Sequence, residues 1–349
     1  MSPEPPPRHF DAATLDALVP MGAAVDAVAE ALTLAASGEV EQPRRLVLND
    51  ATSLVMTAVR RSTGETAVKA VSVFVGDDGP ADRQPGIAGL FVWLDPRVGG
   101  VTFTADGARL TAIRTGAVSG LATRLLADPD AEQLCLLGSG RQAYTQATAV
   151  CAVRPIRRAT VWSRTSAHAA TMVSRLAVDL PGVEVTQAPS ADGAVAGADV
   201  VCAATSSRTP LFSTESLSPH AHVNAVGAYR SSMAELPTDL LLTGSTVAVD
   251  DRDGCLHESG EVIAALDAGF APERLLALHR VPDDLAARRS GRTVFKSVGC
   301  AALDFAVGNL LAGHARHDLD HDNRRDGHEH ADRHHHRGGS TQRPATGGL

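Results

Sequence analysis

Apolar and polar positions fall into two successive rhythms followed by a tail without either. Helical spacing begins near Asp11–Leu18 and resumes over Ala23–Ala36, where Ser37-Gly38 stops it. Strand-like runs follow at Arg45–Leu48, Ser53–Val59, Ala67–Val75 and Gly89–Leu94, separated by Asn-Asp, Thr-Gly and Asp-Asp-Gly-Pro turn signals. This part predicts a mostly antiparallel sheet with leading helices, and Arg114 and Thr115 then open a small-residue helix over Ala117–Leu126. From Leu134 strand and helix alternate: strands Leu134–Leu137, Ala159–Trp162, Val183–Thr186 and Asp199–Ala203 are separated by helices near Gln142–Val153, Ser166–Asp179 and Ala191–Ala196. Strands Ala221–Val226 and Thr246–Asp250 and a helix from Glu258 to Ala268 continue the series. Strict alternation implies a parallel sheet with helices on both faces. Near Arg292–Lys296 a last strand leads into a helix of about five turns containing Asp304.

At 349 residues the chain is long enough for two domains, and 44% apolar with 21% charged residues is an ordinary globular balance. Aromatics at 3% leave the cores to Ala, Val and Leu. A formal charge of −8 and the lack of any basic stripe argue against a nucleic-acid partner. Five scattered cysteines among small residues read as buried reduced thiols, with no zinc spacing. No apolar run reaches the roughly 18 residues of a membrane span, so a cytoplasmic enzyme is expected. Residues 1–10 read as a flexible arm. Residues 314–349 hold eight of the fourteen histidines with six acids and six bases, too polar to bury a core, and read as a disordered tail without a defined metal site.

The candidate chemistry starts at Leu134–Ala143, LCLLGSGRQA, a strand, a tight turn and a helix start. Gly138 tolerates positive φ, Gly140 presents no Cβ to a pyrophosphate, and Ala143 lets the helix pack closely on the strand. The helix's free N–H groups then make an anion site, to which Ser139, Arg141 and Gln142 belong. At the end of the next strand stands Ser163-Arg164-Thr165, where an NAD-binding version would place a carboxylate; an arginine between two hydroxyls suits a 2′-phosphate, so NADPH is favoured over NADH. A solvated loop arginine is the alternative. The loops at Ala204–Ser207, with Thr205 and Ser206, and at Gly227–Tyr229 converge on the same side. Lys69 lies inside an apolar strand and must either snorkel at an edge or point into a polar cavity. Arg114 either faces a bound anion or forms a structural ion pair, and Asp304 either serves a site or faces solvent.

Taken together, Gln42-Pro43-x-Arg45, AVKAV, LTAIRTGAVSGLA, GSGRQA, VWSRT, ADVVCAATSS, HVNAVGAYRSSMAELP and TVFKSVGCAALD resemble the ornithine cyclodeaminase/mu-crystallin family over residues 11–313. The resemblance implies an α/β fold in which a Rossmann-type parallel-sheet domain (116–292) is inserted into an α+β substrate and dimerisation domain (11–115 plus 293–313) of a homodimer. It implies that Arg45 and Arg114 clamp a substrate carboxylate with Lys69 near the reacting atoms. It further implies cofactor contacts from Asn224, Val226, Gly227, Thr115 and Lys296, with Asp304 positioning substrate or cofactor. The family's cyclodeaminases carry a catalytic aspartate where this chain has Tyr229, and many relatives have Pro-x-Asn where it has Val75-Gly76-Asp77-Asp78. Without that aspartate the expected activity is reduction of a small imino acid, Δ1-pyrroline-2-carboxylate or Δ1-piperideine-2-carboxylate, to L-proline or L-pipecolate. Alanine dehydrogenation, ornithine cyclodeamination and NADPH binding without turnover are the alternatives.

Overall fold

The computed structural model describes residues 7–49, 52–74, 86–244, 246–288 and 290–316. Val75–Asp78 and the tail beyond residue 316 therefore lie outside the described residues. The first sheet comprises β1 (Arg8–Phe10), β2 (Val40–Glu41), β3 (Leu46–Leu48), β4 (Ser53–Arg60), β5 (Thr66–Phe74), β6 (Gly86–Asp95) and β7 (Gly100–Asp106). Their order is β1-β7-β6-β5-β4-β2, with β3 also on β4, and every pairing but β1–β7 is antiparallel. Strand β1 corrects the expected flexible arm: Arg8–Phe10 pairs with β7 and buries Phe10. Strand β7, also not among the expected elements, is set up by Gly99 at φ +83°, which ends a short turn after β6.

Period-two alternation turns Leu54, Met56 and Ala58 of β4, Ala67 and Val71 of β5, and Phe91 and Trp93 of β6 to one face. Helices α1 (Ala12–Leu18), α2 (Met21–Ala36), α3 (Gly107–Leu126) and the closing helix α11 (301–316) contribute to the core on that face. A cluster of Phe10, Phe91, Trp93, Phe103 and Phe305 rings centres it, so five of the few aromatic residues are spent in one place. On α11, Gly308 faces this cluster: a Cβ there would stand 2.5 Å from the Phe91 ring.

Helix α3 corrects the expectation that Arg114 opens a helix at a strand-to-helix junction. It starts at Gly107, where the Asp106 carboxylate accepts the Arg109 N–H at 2.7 Å, so Arg114 lies mid-helix and buried. The early start needs two glycines in contact. A Cβ on Gly107 would meet the Gly89 backbone at 2.7 Å, and one on Gly89 would meet the Ala70 carbonyl at 2.2 Å.

The second sheet holds β8 (Gln133–Leu137), β9 (Arg158–Trp162), β10 (Glu184–Gln187), β11 (Val200–Ala203), β12 (His222–Ala225), β13 (Thr246–Val249), β14 (Leu275–Ala277) and β15 (Thr293–Lys296). All pairings are parallel, in the order β10-β9-β8-β11-β12-β15-β13-β14. Chain order reverses between β8 and β11, which is where such sheets open a crevice for a ligand. Helices α4 (Arg141–Val153), α5 (Ser166–Asp179), α6 (Ala191–Val195), α7 (Thr238–Thr243), α8 (Arg252–Glu258), α9 (Gly260–Asp267) and α10 (Leu285–Arg288) complete the unit, and separate apolar clusters fill its two faces. The helix expected from Glu258 to Ala268 is α9, capped by the Ser259 hydroxyl, whereas α8 before it was not among the expected elements. Strand β15, grouped by sequence with the substrate unit, pairs between β12 and β13 inside this sheet.

Helix α3 belongs to both units. Asn224 of β12 donates to the Thr123 hydroxyl at 2.9 Å, and Gln146 of α4 donates to the Thr115 carbonyl at 3.2 Å. Among the described residues no single helix is long and apolar enough to cross a membrane.

Candidate active site

Between the two sheets lies a cavity with one charged end and one apolar end. Lys69 projects into the charged end from the middle of β5, opposite Met56 and Phe91, and is 1% exposed. A buried ammonium needs a partner. Asp304, in the first turns of α11 and equally buried, accepts from Lys69 Nζ at 2.5 Å and ion-pairs Arg114 Nε at 3.2 Å through the same oxygen. Its second oxygen is buried without a hydrogen-bond partner among the described residues. Burial pulls the Lys69 pKa down to about 8, Asp304 holds it up, and the Arg114 charge lowers it further.

The two arginines are held differently. The terminal nitrogens of Arg114 make no hydrogen bond among the described residues, and Gly299, at φ +80°, lets the chain pass against them: a Cβ there would stand 2.4 Å from one. Arg45 is already occupied, donating to the Val298 carbonyl at 2.7 Å, to the Tyr229 carbonyl at 3.4 Å and to Glu258. Gln42 joins this segment to α11 by accepting the Ala302 N–H at 2.7 Å. Glu258 gave no sequence signal, because its run LHESG carries neither periodicity nor a motif. Lys69, Arg45 and Arg114, with Arg44 on the outer side of Glu258, thus meet two carboxylates, Asp304 and Glu258, so the cluster is net positive when Lys69 is protonated.

At the other end, Leu54, Val71, Val73 and Ile87 pack with the ring of Tyr229. Burial pushes the Tyr229 phenol pKa up. Thr115, Gln142 and Val226 line the cavity between α3 and the parallel sheet, which places it beside the β8 turn.

That turn has the features of an anion cradle. Gly138 adopts φ +117° and its N–H donates to the Trp162 carbonyl at 2.8 Å, while a Cβ on it would meet the Ala204 carbonyl at 2.6 Å. Gly140 faces open space and begins α4 without a side-chain cap, so the first-turn N–H groups, with Arg141 and Gln142, are available to an anion. Ser139 donates to Ser163 at 2.9 Å, tying the turn to the end of β9. Arg164 is exposed and has no ion pair among the described residues, with Thr165 beside it. Thr205 and Ser206 follow β11 directly. These groups fit a dinucleotide.

Two expected cofactor residues sit elsewhere. Asn224 is fully buried and satisfied by Thr123 and by His222 at 3.1 Å, because its side chain points from β12 toward α3. Lys296 is fully buried and donates to the Ala228 carbonyl at 2.6 Å, pairing Glu261 at 3.2 Å. Gly227 serves a contact between loops: a Cβ would meet the Thr205 carbonyl at 2.1 Å.

The profile of the ornithine cyclodeaminase/mu-crystallin family matches residues 11–317. Over 272 residues the chain is 34% identical to the Delta(1)-pyrroline-2-carboxylate reductase of Bacillus cereus, covering 74% of this chain and 80% of that protein. It is 33% identical over 278 residues to the ketimine reductase mu-crystallin of Macropus fuliginosus, covering 78% and 85%. The structure of Thermococcus litoralis Delta(1)-pyrroline-2-carboxylate reductase in complex with NADH and L-proline is similar, with a TM-score of 0.80 and 26% identity over 90% of this chain and 98% of that one.

Proposed function

The chain belongs to the ornithine cyclodeaminase/mu-crystallin family, and from that premise we propose that it reduces a small cyclic imino acid with a nicotinamide cofactor. The substrates we assign are Δ1-pyrroline-2-carboxylate or Δ1-piperideine-2-carboxylate, giving L-proline or L-pipecolate. The observation that carries this reading is Lys69, a buried ammonium beside an arginine fork at the mouth of a dinucleotide cradle.

Each end of the cavity has a task. Arg114 offers two parallel donors to the planar carboxylate of the substrate, with Arg45 at the rim. The surplus positive charge suits a carboxylate, and the apolar wall under Tyr229 takes the ring carbons. Held in the cradle, a reduced nicotinamide would supply the hydride that the imine carbon accepts. Lys69 donates its proton to the imine nitrogen, which makes the carbon a better acceptor, and Asp304 keeps enough of the lysine protonated near neutrality for this task.

Ser139, Gly140, Arg141 and Gln142 would hold the pyrophosphate, with Thr205 and Ser206 along its path. Arg164, between Ser163 and Thr165, favours NADPH over NADH by meeting a 2′-phosphate. We also assign a homodimer, supported by the exposed apolar row Leu46, Val47 and Leu48 on β3, a strip for a second copy to cover.

The test is oxidation of NADPH and of NADH with each cyclic imine, beside pyruvate plus ammonia and beside ammonia release from ornithine. Turnover with a cyclic imine is expected. Oxidation only with pyruvate and ammonia, or ammonia released from ornithine, would overturn the substrate assignment.

A further inference from the structure

Behind the cofactor-facing loops a single buried carboxylate ties strand ends together. Glu235, fully buried, accepts the Thr205 N–H at 2.6 Å and the Thr205 hydroxyl at 2.8 Å on one oxygen. Its other oxygen accepts the N–H groups of Gly227 at 2.7 Å and Ala228 at 3.1 Å. The loops can close this tightly because Gly227 has no side chain; a Cβ there would stand 2.5 Å from Glu235 Oε1. The carboxylate is held from behind. Glu261 accepts the Glu235 N–H at 2.8 Å and the Ser259 hydroxyl at 3.0 Å, and it pairs with Lys296, which in turn donates to the Ala228 carbonyl.

The clasp reaches the cofactor cradle on one side and the substrate cavity on the other. Ala204, next to Thr205, packs on the Gly138 turn, and Tyr229, next to Ala228, forms the cavity wall and lends its carbonyl to Arg45. All four hydrogen bonds run into the carboxylate, so both oxygens act as acceptors only. An amide in its place would turn N–H donors against one of the two loops.

We propose that Glu235 is a positioning residue for the nicotinamide nucleotide, an anionic clasp that fixes the loops after β11 and β12 in their receiving arrangement before the cofactor binds. The inference rests on the reading that a dinucleotide crosses these strand ends. Preorganisation of this kind appears in affinity, because a loosened loop must be ordered at binding.

The experiment is fluorescence titration of NADPH onto the full chain as wild type, Glu235→Gln and Glu235→Asp, with thermal unfolding of each without nucleotide. Glu235→Gln is expected to raise the NADPH Kd about tenfold or more, with kcat at saturating cofactor changing less than the Kd. Asp keeps the charge but is one methylene too short to span both loops, so its Kd should also rise. If Glu235→Gln does not fold, Glu235→Asp carries the test, and a Kd for it within about twofold of wild type overturns the clasp. A folded Glu235→Gln whose Kd stays within about twofold of wild type, whatever its melting temperature, overturns the clasp and leaves a purely structural carboxylate. Wild-type protein that binds neither NADPH nor NADH overturns the cofactor reading and the clasp with it.

Discussion

Lys69 shows how much of the site depends on neighbours that are distant in the chain. The sequence AVKAV leaves its direction open, because apolar residues flank it on both sides. What turns it inward is the register that sets it beside Met56 and Phe91, and what keeps it there is Asp304, 235 residues away in sequence. If Lys69 is the proton donor, kcat/KM should fall as pH rises through about 8, where the lysine loses its proton. Asp304 raises that pKa, so Asp304→Asn should move the alkaline limb to lower pH, read from the kcat/KM profile. Lys69→Ala should cut kcat by about 10²–10⁴-fold while the NADPH Kd stays near wild type. For Arg164→Ala, the ratio of NADPH to NADH kcat/KM is expected to drop by about tenfold or more through loss of a charge-assisted contact. The glycines of the turn could be read from residue type alone, whereas the grouping of Arg45, Lys69 and Arg114 came only from the family resemblance. Asn224 and Lys296 could not: each is a polar residue near a strand end, and only the packing shows that partners inside the protein already satisfy it.

Among the elements, α3 carries the most consequence. The alternation that makes the parallel sheet is visible in the chain, since each strand and helix is a separate run. The start of α3 is not, because Gly107–Arg114 mixes small, polar and apolar residues, and its seat on β6 depends on Gly107 having no side chain against the Gly89 backbone. Gly107→Ala should therefore act on two readouts. Its methyl would meet the Gly89 backbone, an overpacking worth about 1–3 kcal/mol and visible as a lower melting temperature. It would also push the helix that carries Arg114 away from β6, so the KM for the imino acid should rise more than the KM for NADPH. Helix α8 was hidden too: Arg252–Glu258 is a short polar run whose only signal is the Asp251 cap at its start.

At the scale of the whole molecule, the two sheets are joined by α3 and by the segment from β15 into α11. That segment supplies the strand between β12 and β13 and then the helix that covers the aromatic cluster and brings Asp304 to Lys69. Its place in the sheet was not legible, since a short apolar strand does not reveal its partners. The arrangement has a consequence for how the protein is made. Residues 293–316 emerge from the ribosome after both sheets' other strands, yet they close both units. Until then β12 and β13 lack their common neighbour, and Lys69 sits in an apolar wall without its counter-charge. Long-range closure of this kind is slow to form. A nascent chain halted before β15 should be cut readily by protease at positions the finished protein shields, and each copy becomes a working unit only when synthesis has delivered α11.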